Sequence, residues 1–334
     1  MRSLCVEVPL TNGEEVRRTL QEMGLLRKDL QIERHGDVLY IPITASVGIG
    51  YRNLEREFRV GFVPVRTYRE LLSLPPRLEA LLPKAFDSIG DIAILRVAKE
   101  LGDFETQIGD AILRWSGKFQ TVAVDEGVVG EHRVRKVRVI AGDPRVRTEH
   151  IEYGICYLVD VERAYFSPRL GTERQRVAQQ VSEGETVVDM FAGVGPYAIL
   201  IANTRKPKSV HAIDANPLAI ELLRENVRRN RADSVVVHEG RGEEILPRLA
   251  PVDRVIMDLP QRGREFLGVA AAAVRPGGSV HHYSIAERGF IEDAERDALQ
   301  LVAHGHRKGE VTATRIVRGY SPGKAHIAID LRIT

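Results

Sequence analysis

The sequence predicts an α/β fold built on an open, Rossmann-like sheet, and three features near the middle of the chain support this class. An apolar run that ends at Val188 is followed by an acid, Asp189. Two glycines, Gly193 and Gly195, then open a turn, and an apolar segment of helical character follows at residues 196–202. This order of strand, carboxylate, glycine turn and helix makes the nucleotide crevice of open α/β sheets, because glycines let the backbone approach a ligand closely.

The glycine spacing alone does not identify the ligand. Gly193, Gly195 and Ala198 also satisfy the dinucleotide-binding pattern. Asp189 lies four residues before the first glycine, however, and a carboxylate at this place repels a pyrophosphate. S-adenosylmethionine has no phosphate, and its sulfonium and ammonium groups attract a carboxylate. We therefore expect S-adenosylmethionine as the cofactor, in preference to NAD.

Further strand and helix signals follow the glycine turn. Ser209–Asp214 is a predicted second strand that ends in an acid, at the position that serves ribose hydroxyls. Asn216 is a predicted helix cap before a proline, and it opens a helix at residues 218–230. A third strand begins at Val235, and a fourth, at residues 254–258, ends in Asp-Leu-Pro.

The end of the chain predicts how the sheet closes. Residues 277–283 form a fifth predicted strand, and residues 312–317 and 325–331 form a β-hairpin. A terminal hairpin after five strand–helix units is typical of the class I methyltransferase sheet. We therefore predict a methyltransferase domain that binds S-adenosylmethionine over residues 171–334.

Two smaller α/β regions are predicted before this domain. Residues 1–65 form an N-terminal module, with strands at residues 4–8 and Val38–Ile43 and a helix at residues 13–23. A linker is predicted at residues 66–78, because this segment contains the Pro-Pro pair. The module is therefore expected to act separately from the rest of the chain.

The middle α/β region covers residues 79–170. It has a predicted buried strand at residues 87–97, a helix at residues 101–116 and further strands up to Val161. Basic residues alternate along one of these strands: Arg133, Arg135, Lys136 and Arg138. They form either a solvated strand face or an RNA-contacting surface, since the rigid donor fork of arginine suits phosphates and the O6 edge of guanine.

Composition and charge limit the class of protein. At 334 residues the chain is long enough for two or three domains. The formal net charge is only +2, so affinity for RNA must come from local basic patches. Cys5 and Cys156 lack metal-ligand spacing, which favours a reducing cytoplasm. His281 and His282 flank no acid or cysteine at ligand spacing, and no apolar run reaches the ~18 residues of a membrane helix. We expect no metal site and a soluble, cytoplasmic protein.

Four motifs make the chain similar to a known family. They are Tyr165-Phe-Ser-Pro-Arg-Leu-Gly-Thr-Glu-Arg174, Asp189-Met-Phe-Ala-Gly-Val-Gly-Pro196, Asp214-Ala-Asn-Pro217 and Asp258-Leu-Pro260. Together they resemble the archaeal and eukaryotic tRNA (guanine-N1)-methyltransferases, which act on guanosine at tRNA position 37. The resemblance extends upstream to Gly130-Glu-His-Arg-Val-Arg135 and to Leu26-Arg-Lys-Asp29 and Asp37-Val-Leu-Tyr-Ile-Pro42, and so covers the chain.

The resemblance implies roles for individual residues. Glu173 matches the general base of the family, although an acid at a helix start also stabilises the helix dipole. Arg133 and Asp258 are expected at the reacting guanine, and Tyr165 is expected to position the base or stack on it. The expected cofactor-binding residues are Asp189, Phe191, Gly193, Gly195, Asp214, Asn216, Arg169, Asp258 and Pro260.

The chain departs from the family pattern at two positions. Asp258 stands where the family often has asparagine, so a carboxylate replaces an amide. Arg241 stands where such enzymes usually have an acid for the adenine amino group, so the adenine is held either by backbone groups or by Glu243. Neither cysteine is near the fourth strand, and this excludes the cysteine nucleophile of C5-pyrimidine methyltransferases.

The expected function is methylation of N1 of guanosine 37 by general base catalysis. The resemblance implies tRNA as the partner, bound at its anticodon loop and outer corner, and we expect a monomer. The alternatives are the related wybutosine-pathway aminocarboxypropyltransferase, a tRNA-binding protein with a vestigial cofactor pocket, and an NAD oxidoreductase. Asp189 and the closing hairpin disfavour the last of these.

Overall fold

The computed structural model describes residues 1–60, 65–130, 132 and 134–334, and the chain divides into two compact units. The first unit is Met1–Leu71 and the second is Leu72–Thr334. The finer boundaries predicted from the sequence, at residues 66, 79 and 171, stay predictions. In the described part of the chain, none of the helices combines the length and the apolar character that a membrane crossing needs.

The first unit is a four-stranded antiparallel sheet with one α-helix. In chain order its elements are β1 (Arg2–Pro9), α1 (Gly13–Glu22), β2 (Glu33–His35), β3 (Val38–Ile43) and β4 (Arg52–Glu57), and the strand order is β2-β3-β1-β4. Val16 and Leu20 of α1 pack on Val6 and Ile41 of the sheet. The helix and two strands agree with the sequence prediction. The edge strands β2 and β4 were not predicted, because they are mostly polar.

The second unit begins with a smaller sheet. Its elements are α2 (Pro76–Glu79), β5 (Asp87–Ile89), β6 (Ile92–Leu95), α3 (Glu105–Trp115), β7 (Thr121–Val129) and β8 (Val134–Gly142), with the strand order β5-β6-β7-β8. The single strand predicted at residues 87–97 is wrong: it is an antiparallel pair that turns at Gly90. Gly90 has φ of 53°, and a Cβ there would overlap Thr148 and Glu149, so the turn requires glycine.

A hairpin and a helix lead into the main sheet. The hairpin is β9 (Arg147–Glu152) with β10 (Ile155–Asp160), and α4 (Gly171–Gln179) follows. The rest of the chain forms the main sheet and the helices that pack on it. In chain order these elements are β11 (Thr186–Asp189), α5 (Pro196–Thr204), β12 (Ser209–Asp214), α6 (Pro217–Arg229), β13 (Val235–Glu239), α7 (Gly242–Leu249), β14 (Val252–Met257), α8 (Leu267–Ala273), β15 (Val274–Glu287), α9 (Ile291–His304), β16 (Gly309–Ser321) and β17 (Lys324–Ile333).

The main sheet has seven strands in the order β13-β12-β11-β14-β15-β17-β16. The first five are parallel, and β17 pairs antiparallel with both β15 and β16. Successive residues of β11 face opposite sides, so Val187 packs with α4–α6 and Val188 packs with α7–α9. The predicted Rossmann-like sheet with a terminal hairpin is confirmed, with β15, β16 and β17 longer than predicted.

Candidate active site

A cavity of about 340 Å³ lies in the second unit, at the carboxyl ends of the parallel strands. Phe191 and Gly193 follow β11, Asp214 ends β12, Asp258 follows β14, and all four line the cavity. Because β11 has β12 on one side and β14 on the other, the order of strands reverses here. Open α/β sheets bind their ligands at this kind of switch point.

The glycine turn between β11 and α5 forms one wall of the cavity. Gly193 and Gly195 have φ of 55° and 90°, in the left-handed region that favours glycine. Gly193 lines the cavity, and its N–H donates to Oδ2 of Asp214 at 2.7 Å. Gly195 packs away from the cavity, and a Cβ there would overlap Leu223 of α6. The absence of a side chain at Gly193 therefore keeps the turn open towards the cavity, and its absence at Gly195 lets the same turn pack against α6.

The carboxylate of Asp214 fixes the turn and also faces the cavity. Its Oδ1 accepts from the N–H of Asn216 at 2.8 Å, and its Oδ2 accepts from Gly193. Burial raises the pKa of Asp214, and these two backbone donors oppose the shift. Asn216 caps α6, because its Oδ1 accepts from the N–H of Leu218 at 3.1 Å. Asp214 keeps unused lone pairs that can accept from ligand hydroxyls.

Asp189 is completely buried at the end of β11. Neither of its oxygens has a partner at hydrogen-bonding geometry in the described part of the chain, although the backbone amides of Phe191 and Ala198 lie close enough to lower its pKa in part. Burial, together with the carboxylates of Asp258 and Asp214, raises the pKa of Asp189 to about 8. A positively charged ligand would relieve this clustering of acids. The sulfonium and ammonium groups of S-adenosylmethionine fit this requirement, and a pyrophosphate does not.

Residues that suit an adenine ring also line the cavity. The ring of Phe191 lies 5.5 Å from that of Phe266, centroid to centroid. Gly242, at the start of α7, has no room for a Cβ because Met190 lies against it. Nε of Arg241 donates to Oε1 of Glu243 at 2.7 Å. Glu243 therefore supplies the cavity wall with the acid that position 241 lacks.

A second polar group of residues surrounds Asp258. Burial raises the pKa of Asp258 to about 6, and the charges of Arg174 and Arg318 oppose the shift. Nε2 of His326 lies 3.9 Å from Oδ1 of Asp258, and Nη2 of Arg318 donates to the hydroxyl of Tyr165 at 3.3 Å. All five residues line the cavity. This end of the cavity therefore offers both donors and acceptors to a polar substrate.

Glu173, the expected base, is buried in the first turn of α4, behind the cavity wall. Arg176 donates to both of its oxygens, from Nη2 to Oε1 at 2.6 Å and from Nε to Oε2 at 2.9 Å. The hydroxyl of Tyr283 donates to Oε1 at 2.8 Å, and Tyr197 donates to Tyr283 at 2.9 Å. Tyr197 lines the cavity. Two hydroxyl groups therefore connect Glu173 with the cavity.

The ion pair of Glu173 continues into a buried polar network. Nη1 of Arg176 donates to Oδ2 of Asp330 at 2.5 Å, and Nδ1 of His281 lies 2.7 Å from Oδ1 of Asp330. Burial lowers the pKa of His281, so the ring is neutral, with Nδ1–H donating to Asp330 and Nε2 accepting from Arg254 at 2.7 Å. Despite burial, hydrogen bonds from His281 and Arg176 hold the pKa of Asp330 well below its usual range.

The structure brings most of the residues expected from the sequence to one place. Those that line the cavity are Tyr165, Phe191, Gly193, Asp214, Asn216, Asp258 and Pro260. Arg169 is directed elsewhere, since its Nε donates to Oδ1 of Asp87 at 2.6 Å, and its role in cofactor binding stays a prediction. Arg133 lies outside the described residues.

Sequence reasoning misses several residues of the cavity wall, among them Arg174, Tyr197, Arg318 and His326. A signal exists for Arg174, because it directly follows Glu173 in the same motif. No local signal exists for Arg318 and His326. They become neighbours only when β16 pairs with β17, which sequence spacing does not reveal.

The antiparallel pairing of β17 with β15 separates this sheet from that of a dinucleotide-binding domain, and the buried Asp189 favours a cationic ligand over a phosphate. The protein is therefore a class I methyltransferase. It belongs to the TRM5/TYW2 methyltransferase family. The model of the TRM5/TYW2 methyltransferase domain matches residues 148–312, that of the TYW2 N-terminal domain matches residues 68–145, and that of the tRNA methyltransferase 5 N-terminal domain matches residues 5–49.

Individual relatives agree with this family, which confirms the family expected from the motifs. The tRNA (guanine(37)-N(1))-methyltransferase Trm5b of Pyrococcus abyssi is 39% identical over 99% of both chains, and its crystal structure superposes with a TM-score of 0.81. A complex of aTrm5 with tRNALeu superposes with a TM-score of 0.77 at 32% identity, over 99% of this chain and 100% of that one. A tRNA(Phe) (4-demethylwyosine(37)-C(7)) aminocarboxypropyltransferase of Pyrococcus horikoshii is 30% identical over 79% of this chain and 95% of its own.

Proposed function

We propose that the protein transfers the methyl group of S-adenosylmethionine to N1 of guanosine 37 in tRNA. One observation carries this proposal: a single cavity joins the glycine turn and Asp214, which suit the methyl donor, with Asp258 and His326, which suit a purine. Similarity over the full chain to two tRNA (guanine(37)-N(1))-methyltransferases supports the same activity. The protein is thus an S-adenosylmethionine-dependent tRNA methyltransferase.

S-adenosylmethionine supplies an electrophilic methyl group on a positively charged sulfur. Asp214 would hold the ribose hydroxyls, because it keeps acceptor capacity beyond its two backbone hydrogen bonds. Phe191 and Glu243 would hold the adenine. Asp189, buried beside the turn, would offset the positive charge. The methyl group needs no further activation, so the placement of the two reactants supplies much of the rate enhancement.

The nucleophile needs a base. N1 of guanine carries a proton and is a poor nucleophile until that proton leaves, and Glu173 is the proposed acceptor. The hydroxyls of Tyr197 and Tyr283 provide a path: the N1 proton passes to Tyr197, the proton of Tyr197 to Tyr283, and the proton of Tyr283 to Glu173. Negative charge then develops on O6, where Arg133 is the proposed stabilising group.

The anticodon loop of tRNA would bind at the cavity, and its base 37 must leave the loop stack to enter. Support for tRNA comes from the solved complex of a relative with tRNALeu. The N-terminal module is proposed to bind the outer corner of tRNA, and the middle region to contact RNA. The basic residues of β8 are paired with acids, Arg135 with Asp87, Lys136 with Glu126 and Arg138 with Glu105. RNA must therefore compete with these carboxylates.

The assembly and the compartment are also proposals. A monomer is the proposed active form. The two cysteines, Cys5 and Cys156, are free thiols, which supports a reducing compartment such as the cytoplasm. Sedimentation at working concentrations tests the first proposal, and fractionation of the source cells tests the second.

The experiment that tests the function uses full-length protein, methyl-labelled S-adenosylmethionine and an unmodified tRNA transcript, followed by nucleoside mass spectrometry. We expect 1-methylguanosine at position 37 and no label in a transcript with adenosine at that position. An aminocarboxypropyl adduct would favour the activity named for the P. horikoshii relative. Binding of tRNA without any transfer would favour a vestigial cofactor pocket.

A further inference from the structure

The last three strands place two polar side chains on the same wall of the cavity. Arg318 of β16 lies directly opposite His326 of β17, and His326 lies opposite Ile285 of β15. Residues directly opposite in an antiparallel pair share one face of the sheet. Both Arg318 and His326 line the cavity, and the ring of His326 lies 5.6 Å from that of Tyr283, edge to face.

These side chains have polar atoms that are buried without partners. Among the residues that the structure describes, Nε of Arg318 and both ring nitrogens of His326 find no hydrogen-bond partner. Among the ion pairs of the described residues, none joins Arg318 to Asp258, although both residues line the cavity. A buried polar group without a partner destabilises the folded protein, because it has lost its hydrogen bonds to water. Groups that stay unpaired beside a cavity are therefore groups that a ligand can satisfy.

The protonation states of His326 and Asp258 help to define which donors and acceptors of a ligand this wall of the cavity can bind. Burial and the nearby Arg318 lower the pKa of His326 to about 4, so its ring is neutral at pH 7. Arg318 only donates, and ionised Asp258 only accepts. Guanine has the acceptor O6 at one end of its Watson–Crick edge and an amino donor at the other. Adenine has an amino group in place of O6, and arginine cannot accept a hydrogen bond from it.

We propose that Arg318 donates a hydrogen bond to O6 of the target guanine and stabilises the negative charge that develops there when N1 loses its proton. This inference rests on the proposed function and adds a substrate-contacting catalytic residue to it. O6 has two lone pairs, so a contact from Arg318 is compatible with one from Arg133. Because the charge on O6 grows as the proton leaves, Arg318 acts mainly on the rate of transfer and less on the affinity for tRNA.

The test measures single-turnover methyl transfer by the full-length protein, with tRNA and cofactor saturating. Arg318→Ala should slow transfer to guanosine 37 by about 10²–10³-fold, the usual loss for one donor to a developing oxyanion, and Arg318→Lys should recover part of the rate. Inosine 37 keeps O6 and should show the same ratio of wild-type to variant rates. With 6-thioguanosine 37 the ratio should be much smaller, because sulfur is a weak acceptor.

Arg315→Ala is the matched control, because Arg315 is an exposed arginine on the same strand that does not line the cavity. It removes the same charge and should leave the rate constant unchanged. Cofactor affinity and thermal unfolding of each variant report whether the fold is retained, and Arg318→Lys covers the case in which Arg318→Ala is unstable.

An equal loss on guanosine and 6-thioguanosine, together with weaker tRNA binding, would place Arg318 on a phosphate and overturn the inference. An unchanged rate in both Arg318 variants would overturn it as well. If the wild-type protein itself transfers no methyl group to guanosine 37, the proposed function fails, and this result is distinct from either of the other two.

Discussion

The two carboxylates near the reacting end of the cavity have different surroundings. Glu173 accepts from Arg176 and Tyr283 and is connected to the cavity through Tyr197. Asp258 lines the cavity itself, and burial raises its pKa to about 6. Glu173 is thus placed to receive a proton, and Asp258 is placed to accept a hydrogen bond from the exocyclic amine of guanine.

These surroundings predict unequal effects of the two matching substitutions. Glu173→Gln should lower single-turnover methyl transfer by about 10²–10⁴-fold, because a general base is lost. Asp258→Asn should be milder, since the amide keeps an oxygen that accepts from the amine. Both are measured on the same transcript under saturating cofactor. If Asp258→Asn is the more damaging change and Glu173→Gln is nearly harmless, Asp258 is the base.

A second prediction at this scale concerns the proton on Asp189. Because burial raises the pKa of Asp189 to about 8, this carboxyl group is mostly protonated at pH 7 in the ligand-free protein. A cationic ligand favours the ionised form, so binding of S-adenosylmethionine should release a fraction of a proton, up to about one. Calorimetry at pH 7 in two buffers of different ionisation enthalpy should give different binding enthalpies.

The same shift affects stability. The pKa of the Asp189 carboxyl group is near 4 in the unfolded chain and about 8 in the folded protein. Such a group destabilises the folded state progressively as the pH rises through this interval. Asp189→Asn should therefore raise the melting temperature at pH 8 and have little effect near pH 4. Two results together would contradict the raised pKa of Asp189: equal binding enthalpies in the two buffers, and a change in melting temperature for Asp189→Asn that does not depend on pH.

At the level of residues, the sequence predicts what is local. Gly193 lies in the turn after β11 and Asp214 ends β12, so motifs of adjacent residues are enough to place them at the cavity. Arg318 and His326 reach the same cavity by strand pairing between distant positions. No spacing rule connects Arg318 and His326 with Glu173, so only the structure shows that they line the same cavity wall.

At the level of elements, α4 is tied to the end of the sheet by one arginine. Arg176 of α4 divides its donors between Glu173 and Asp330 of β17. Although burial opposes it, these two carboxylates raise the pKa of Arg176, so it stays charged. Asp330 therefore fixes the guanidinium of Arg176 in the position from which it holds Glu173.

Asp330→Asn tests this arrangement. Without the second carboxylate, the guanidinium of Arg176 should be less firmly fixed and Glu173 less well placed, so the transfer rate should fall by about tenfold. The other titratable groups that face Glu173 are Tyr283, Tyr197 and Asp258, which the change leaves in place. Affinity for tRNA and cofactor should stay the same.

The control for this change is Asp297→Asn, which removes an acid from a solvent-exposed ion pair with Arg264. It should leave the rate unchanged. An unchanged rate for Asp330→Asn would show that Asp330 does not position Arg176 for catalysis.

Strands are predicted correctly where they are buried, because burial requires a run of apolar residues. The buried strands β11, β12 and β14 are apolar runs, and the sequence locates them closely. The edge strands β2 and β4 have few apolar residues, because an edge strand of a small sheet is largely solvated. The turn at Gly90 was missed because nothing local shows that Thr148 and Glu149 pack against it.

At the level of the whole molecule, the chain folds into two compact units. The described residues that line the active-site cavity all belong to the second unit, Leu72–Thr334. The first unit, Met1–Leu71, has its own sheet and its own apolar core. The length of the chain predicts more than one domain, because 334 residues are too many for one small core. It does not predict the observed boundary near Leu71.

The division predicts what removal of the first unit does. A protein that lacks Met1–Leu71 should bind S-adenosylmethionine with unchanged affinity, because its cavity is complete. It should bind full-length tRNA about 10²-fold more weakly, since two linked contacts on one ligand reinforce each other. Binding of an isolated anticodon stem-loop should be the same for the two proteins, because this RNA reaches only the second unit. Calorimetry and filter binding measure these affinities. If both proteins discriminate equally between full-length tRNA and the stem-loop, the first unit does not bind the outer corner.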